Sequence, residues 1–165
     1  MKAPPLPDDE TTRLATLHAL RILDTPAEDR FDALTTVAAA VANVPIALIS
    51  LVDENRQWFK SACGLGAPET PRDVSFCGHA ILSDEPLVIE DASCDERFFD
   101  NPLVTGPPWV RFYAGFPLHV GEARIGTLCV IDDHPRKLTV EQIAELTAIA
   151  RVVEQELPPL DGEKK

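Results

Sequence analysis

The sequence predicts an α+β fold in which an antiparallel sheet carries helices packed on one face. Three observations predict it. Apolar residues recur at near-helical spacing at both ends of the chain, as Leu14, Leu17, Leu20 and Leu23 and again as Ile143, Leu146, Ile149, Val153 and Leu157. Between them lie short β-rich segments joined by turns, whereas a parallel sheet would need helical crossovers. The chain has 165 residues, enough for one domain around a single core.

Residues 1–9, rich in proline and then acidic, read as a flexible tail. The first helix follows and is interrupted at Asp24-Thr25-Pro26. Thr25 reads as the N-cap of a second helix, with Pro26 at its first position and Glu28 three residues on as the reciprocal capping partner. Phe31, Leu34, Ala38 and Val41 form its buried face, and it stops before Asn43-Val44-Pro45 because a residue preceding proline is pushed out of the helical region. Ile46 to Val52, a turn at Asp53-Glu54-Asn55 and Arg56 to Ser61 form a hairpin whose near-continuously apolar first strand is central. Pro86 to Glu90 is a third strand, and Tyr113 to Leu118 pairs with Arg124 to Ile131 across Gly121-Glu122. Five strands is therefore the minimum. Thr139 with Gln142 makes a capping box for the last helix, which runs to Pro158 and leaves 158–165 as a C-terminal tail.

The formal net charge of −12 disfavours phosphate backbones and anionic lipid surfaces, so neither nucleic acid nor membrane is an expected partner. No apolar run approaches the roughly 20 residues of a membrane helix, and the N-terminus lacks the apolar core of a secretory signal, so cytoplasm is the expected location. Cys63, Cys77, Cys94 and Cys129 are scattered without a Cys-x-x-Cys pair and read as reduced thiols.

Candidate functional groups gather in Ser75-Phe76-Cys77-Gly78-His79-Ala80 and in the segments after it: Phe76, Cys77, His79, Asp91, Arg97, Phe98, Asn101, Arg111 and Tyr113. Two readings of Cys77 stand side by side. A helix N-terminus lowers a thiol pKa and favours reactivity, while free cysteine is also among the most buried residue types. His79 projects about 200° around a helix from Cys77, which argues against a catalytic Cys-His pair. Arg97 and Arg111 have the geometry to hold a carboxylate or phosphate, or else pair internally with Asp91, Asp95 or Asp100. Asp91 equally suits a turn cap. Cys77, His79, His119 and His134 lack the close spacing of a structural zinc site, so no metal is expected and no cofactor is legible. Trp58 and Trp109 read as packing residues, Cys129 as core and Cys63 as partly exposed.

Val52-Asp53-Glu54-Asn55-Arg56-Gln57-Trp58-Phe59-Lys60, Arg72-Asp73-Val74-Ser75-Phe76-Cys77-Gly78-His79, Asp100-Asn101-Pro102-Leu103-Val104 and Gly126-Thr127-Leu128-Cys129-Val130-Ile131-Asp132 carry a resemblance to the GAF family of small sensory domains, over about residues 10–157. They are most similar to the bacterial subgroup placed ahead of histidine kinase or cyclic-dinucleotide synthase domains, and here a stand-alone module is expected. The resemblance implies a six-stranded antiparallel sheet, a ligand pocket on one face and a homodimer surface made by terminal helices on the other. The Asn-Lys-x-x-x-Phe-x-x-x-Asp/Glu signature of cyclic-nucleotide binders is absent, and Gly78 separates Cys77 from His79, unlike the Cys-His of bilin binders.

Three functions compete on this basis. The first is a non-enzymatic module that senses an unidentified small molecule, or a partner signalling protein, and transmits through its terminal helices. The second is a thiol redox enzyme resembling free methionine-R-sulfoxide reductase, whose Cys-Gly and Cys-Asp find counterparts in Cys77-Gly78 and Cys94-Asp95 but whose Ser-Glu-Ile contact is missing from Arg111 to Leu118. The third is a ligand-free dimerisation module, distinguished from the first by whether the pocket is roomy or plugged.

Overall fold

A computed structural model describes residues 1–160. The elements run α1 (Glu10–Ala19), α2 (Asp29–Ala42), β1 (Ile46–Val52), β2 (Arg56–Cys63), β3 (Glu69–Pro71), α3 (Phe76–Ala80), β4 (Leu87–Ile89), α4 (Pro102–Thr105), β5 (Phe112–Val120), β6 (Ala123–Asp132) and α5 (Val140–Glu156). All six strands form one antiparallel sheet in the order β3-β2-β1-β6-β5-β4. β1 is central, as its unbroken burial requires.

The sheet separates two cores. Ala47, Ile49 and Leu51 of β1 and Leu128 and Val130 of β6 point to a helical face with Leu17, Phe31, Leu146 and Val153. Leu48, Val52, Cys129 and Ile131 point to the opposite face, where Phe76, Cys77, Phe98 and Tyr113 meet them. A register step opposite Leu118 and His119 leaves Ile125 without a cross-strand partner. This bulge keeps Ile125 on the helical face with Leu128 and Val130 despite the odd spacing.

Several local expectations require correction. Helix α1 ends at Ala19, because Arg21 and Asp24 adopt left-handed backbone (φ 52 and 63). Leu20 and Ile22 still reach the core from the irregular segment. Thr25 does not cap α2, which starts at Asp29: the Thr25 hydroxyl donates to the Ile22 carbonyl at 2.5 Å and accepts from Lys60 Nζ at 2.8 Å. Buried Lys60 also donates to the Pro26 carbonyl and pairs with Glu28, each at 2.7 Å. That ammonium therefore fixes the entry into α2 in place of a capping box. The buried face of α2 is Phe31, Thr35, Ala38, Ala39 and Ala42, with Leu34 and Val41 at its margin.

Within residues 1–9, expected as a tail, a few contacts to the loop after β4 are made while most side chains stay exposed. Lys2 N–H donates to the Arg97 carbonyl at 3.1 Å, the Met1 ammonium pairs with Asp100, and Pro7 is buried. Residues 158–160 follow α5 without regular structure, and the remainder of the expected C-terminal tail, 161–165, lies outside the described residues. The capping box of α5 is present, with Thr139 Oγ1 accepting from Gln142 N–H at 3.0 Å and Gln142 Oε1 accepting from Thr139 N–H at 2.8 Å. Among the described residues, no helix is long and apolar enough to cross a membrane.

Candidate functional site

A cavity of about 290 Å³ opens on the sheet face opposite the long helices. Its floor is strand-built, from Leu48, Gln57, Phe59, Tyr113, Cys129 and Ile131. One wall is α3, contributing Phe76 and Cys77. Its rim comes from the loop after β2 (Leu65, Ala67) with Thr70, and from the α4 region (Leu103, Pro107, Pro108, Val110). None of these residues is an Asp, Glu, Lys, Arg or His, so the cavity suits an apolar molecule with a few hydrogen-bonding groups.

The short helix α3 exists because its ends are tied. Ser75 Oγ accepts from Gly78 N–H at 3.0 Å as the N-cap and donates to the Arg72 carbonyl at 2.7 Å. That geometry turns Cys77 inward. Its Sγ accepts hydrogen bonds from the hydroxyls of Tyr113 (3.2 Å) and Thr127 (3.1 Å) and lies 4.0 Å from Cys129 Sγ. Burial pushes the Cys77 thiol up, but contacts with Cys129, Thr127, Tyr113 and Ser50 outweigh it and leave its pKa below the ordinary thiol value. Contact with Cys77, and then burial, push Cys129 well up, and burial raises Tyr113. A second polar chain runs from Ser50 Oγ to Gln57 Oε1 (3.0 Å) and from Gln57 Nε2 to Thr70 Oγ1 (2.6 Å), placing a satisfied amide at the cavity edge.

Of the residues named from sequence, Phe76, Cys77 and Tyr113 line the cavity. Phe98 stands behind its wall, stacked on Phe76 with ring centroids 4.1 Å apart and planes 8° apart. His79 projects from the other side of α3, where Nε2 contacts the Lys2 carbonyl at 3.0 Å; burial holds its pKa below the ordinary value, opposed by that contact. Asp91 caps a turn through Ser93 N–H (3.0 Å) and the Ser93 hydroxyl (2.6 Å), the latter being the first cause of its lowered pKa. Arg97 forms a two-point ion pair with Asp95, at 3.0 and 2.9 Å. Asn101 caps α4 through Leu103 N–H (2.8 Å) and donates to the Val74 carbonyl (3.0 Å). Arg111 donates to the carbonyls of Val104 and Val110, both at 2.9 Å. These five residues therefore build and brace the loops around the cavity without lining it.

Cys94 sits on the exposed turn with Sγ 3.6 Å from Asp91 Oδ2, a different setting from buried Cys77. The four soft ligands weighed for a metal are likewise dispersed: His119 bridges Asp84 and Glu154, and His134 pairs with Asp133. Trp58 is core, whereas Trp109 is about half exposed, its left-handed backbone (φ 61) carrying it out of the packed loop. Leu48, Gln57 and Cys129 were not legible as cavity residues, because an unbroken apolar strand does not declare which face is lined. The one signal was Gln57, a polar residue beside Trp58-Phe59 in a strand.

A single antiparallel sheet with helices behind it and a small-molecule cavity in front defines a class of compact ligand-pocket module. The chain belongs to the GAF domain family, whose model matches residues 26–157, and is thus a ligand-binding signalling domain by family. It is 44% identical over 155 residues to a cyclic di-GMP phosphodiesterase of Pseudomonas aeruginosa, a match that covers 93% of this chain and 26% of that protein. The chain thus spans about a quarter of that relative's length. Among solved structures it is similar to the GAF domain of an Acinetobacter phosphoenolpyruvate-protein phosphotransferase (TM-score 0.66, 19% identity, 91% of this chain and 93% of that one). It is also similar to the type II free methionine-R-sulfoxide reductase of Thermoplasma acidophilum (TM-score 0.64, 13% identity, 77% and 89%). At these identities the two structures share the fold.

Proposed function

We propose that the chain is a non-enzymatic sensing module of the cytoplasm, taking an uncharged, largely apolar small molecule into the cavity over Leu48, Cys77, Tyr113 and Cys129. The observation that carries this reading is an open cavity of about 290 Å³ whose lining contains no Asp, Glu, Lys, Arg or His. Its size is near the lower end of ligand pockets, roughly 300 Å³, and it favours sensing over a plugged dimerisation module. The lack of a cationic lining favours neither a cyclic dinucleotide nor another polyanion at this site. The separate settings of Cys77 and Cys94 weigh against the reductase reading, which would use them together.

A physical route leads from the cavity to the first helix. Arg72, whose carbonyl holds Ser75 at the start of α3, donates from Nη1 to Glu10 Oε2 of α1 at 2.6 Å and to the Asp53 carbonyl at 3.0 Å. A shift of α3 on binding would therefore reach α1 through one guanidinium. On the far side, Glu154 of α5 accepts from His119 N–H of β5 at 2.5 Å, and Arg151 donates to the Pro117 carbonyl at 2.8 Å.

Binding of an uncharged, environment-sensitive fluorophore such as N-phenyl-1-naphthylamine, followed by competition with other uncharged aromatic compounds, tests the cavity. Ala67→Phe at the rim is expected to weaken competitor binding at least ~10-fold, or about 1.4 kcal/mol, with little change in stability. Unchanged affinity would place binding elsewhere.

Of the apolar residues on the terminal segments, Leu17, Leu20, Ile22, Leu146 and Val153 are at most 3% exposed and Leu157 is 8% exposed, whereas Leu14 and Ile149 are only partly buried. The homodimer proposed here uses the outer faces of the adjacent α2 and α5, where Val37 is 49% and Val152 is 40% exposed. Sedimentation equilibrium at micromolar concentration is expected to show a dimer that Val152→Glu dissociates while leaving the thermal midpoint in place. A monomer at 18.1 kDa for the unmodified chain refutes it.

A further inference from the structure

We infer that Cys77 and Cys129 form a dithiol–disulfide switch in the cavity, oxidised by an apolar organic hydroperoxide that enters through the cavity mouth. Three observations converge. The two sulfurs come from different elements, α3 and β6, yet lie 4.0 Å apart, and both thiols border the same cavity. Two hydroxyls, from Tyr113 and Thr127, are aimed at the sulfur of Cys77 and would stabilise it as a thiolate, the form that attacks peroxides. The surrounding lining is apolar, which admits a hydroperoxide bearing a hydrocarbon group and disfavours charged oxidants.

The chemistry balances without any further partner. The Cys77 thiolate attacks the terminal peroxide oxygen: an S–O bond forms, the O–O bond breaks, and the alkoxide leaves as an alcohol after taking a proton. Cys77 is then a sulfenic acid. The Cys129 sulfur attacks it, an S–S bond forms, and the hydroxyl leaves as water with the proton of the Cys129 thiol. Two thiols are thereby oxidised and one hydroperoxide is reduced to an alcohol. An external dithiol reverses the step by exchange.

Closing the sulfurs from 4.0 Å to about 2 Å draws α3 toward β6 and narrows the floor of the cavity. Because α3 is tied through Ser75 and Arg72 to Glu10, the oxidised state would bear on α1 along the route proposed for a ligand. The inference rests on the reading of this cavity as open to small apolar molecules, and its test separates the two.

The full chain carrying Cys63→Ser and Cys94→Ser, which keeps only the pair, is treated with cumene hydroperoxide, unfolded and alkylated with N-ethylmaleimide. The expected result is equal loss of alkylation at Cys77 and Cys129, a cross-linked Cys77–Cys129 peptide in the mass spectrum, and recovery of both thiols on adding dithiothreitol. Adding Cys129→Ser should halt the reaction at a Cys77 sulfenic acid that dimedone traps. Peptide mapping of the unsubstituted chain gives the same answer should the serine variants fold poorly. Should both thiols remain fully alkylatable after exposed Cys94 has been oxidised in the unsubstituted chain, the switch is refuted. Fluorophore binding in the reduced protein is measured in parallel: binding without cross-linking overturns the switch and leaves the sensing reading standing, whereas cross-linking without binding does the reverse.

Discussion

Replacing Glu10 by alanine is expected to cost about 3–5 kcal/mol of folding stability, the scale for removing one partner of a buried ion pair. The carboxylate of Glu10 holds two guanidiniums: Arg13 Nε lies 2.9 Å from Oε1 and Arg72 Nη1 lies 2.6 Å from Oε2. Arg13 is fully buried and Arg72 almost so. Without Glu10, Arg13 keeps the Val52 carbonyl (2.7 Å) and Arg72 keeps the Asp53 carbonyl (3.0 Å), but two buried positive charges are left uncompensated. Urea unfolding checks the value. A loss under about 1 kcal/mol, the usual worth of a surface pair, would show that the cluster is solvated in solution.

The same cluster sets an acid limit. Burial pushes the Glu10 carboxyl up, but the hydrogen bonds from Arg72 and Arg13 outweigh it and hold its pKa below the ordinary value of 4.5. A group whose folded pKa is depressed contributes stability that is present above its unfolded pKa and lost as pH falls through the folded one. Stability from Glu10 is therefore complete at neutral pH and fades below about pH 4.5. Glu10→Gln, which keeps a hydrogen-bond acceptor but no charge, should flatten that acid limb in proportion.

How much of this was legible in the sequence depends on how local the signal was. The hairpins, the capping box at Thr139 and Gln142 and the stop at Asn43 each rest on a few adjacent residues, and the structure contains them. Strand β3 was not legible: three residues beside Pro68 and ending in Pro71 show no alternation and exist by pairing with β2. Thr25 had the right chemistry for an N-cap, yet a buried ammonium 35 residues away claimed its hydroxyl. Arg13 lies on the helix of Leu14 and Leu17 but is fully buried, because its partners come from the end of β1 as well as from α1. At the site, the motif around Cys77 pointed to the wall of the cavity. Its floor was hidden because Cys129 and Leu48 lie in strands buried on both faces, where period-two alternation disappears. Arginines on pocket loops looked like ligand contacts; Arg97 pairs with Asp95 through Nε and Nη2, and Arg111 donates from Nη1 to the carbonyls of Val104 and Val110.

A pair of one-methyl substitutions in neighbouring strands should separate scaffold from site. At Gly126 of β6, a Cβ would stand 2.0 Å from the Ser50 carbonyl oxygen and 2.9 Å from the Leu51 Cα, both in the backbone of β1. Nothing there can rotate away, so Gly126→Ala must part the two central strands. The expected cost is more than about 3 kcal/mol, beyond ordinary overpacking. At Gly115 of β5, the Cβ would stand 2.2 Å from the Tyr113 hydroxyl oxygen, an atom at the tip of a side chain. Tyr113 can move, at a cost of about 1–3 kcal/mol, but it then leaves Cys77 Sγ, to which it now donates at 3.2 Å, and alters a cavity it lines. Gly115→Ala is therefore expected to remain folded, to lower apolar-ligand affinity about tenfold and to slow the reaction of Cys77 with hydroperoxide. Urea unfolding and competitive fluorophore binding on the two variants decide it. Equal stability losses would mean that β1 and β6 can relax around a methyl group, and unchanged affinity in Gly115→Ala would mean that the Tyr113 ring does not help shape the bound site.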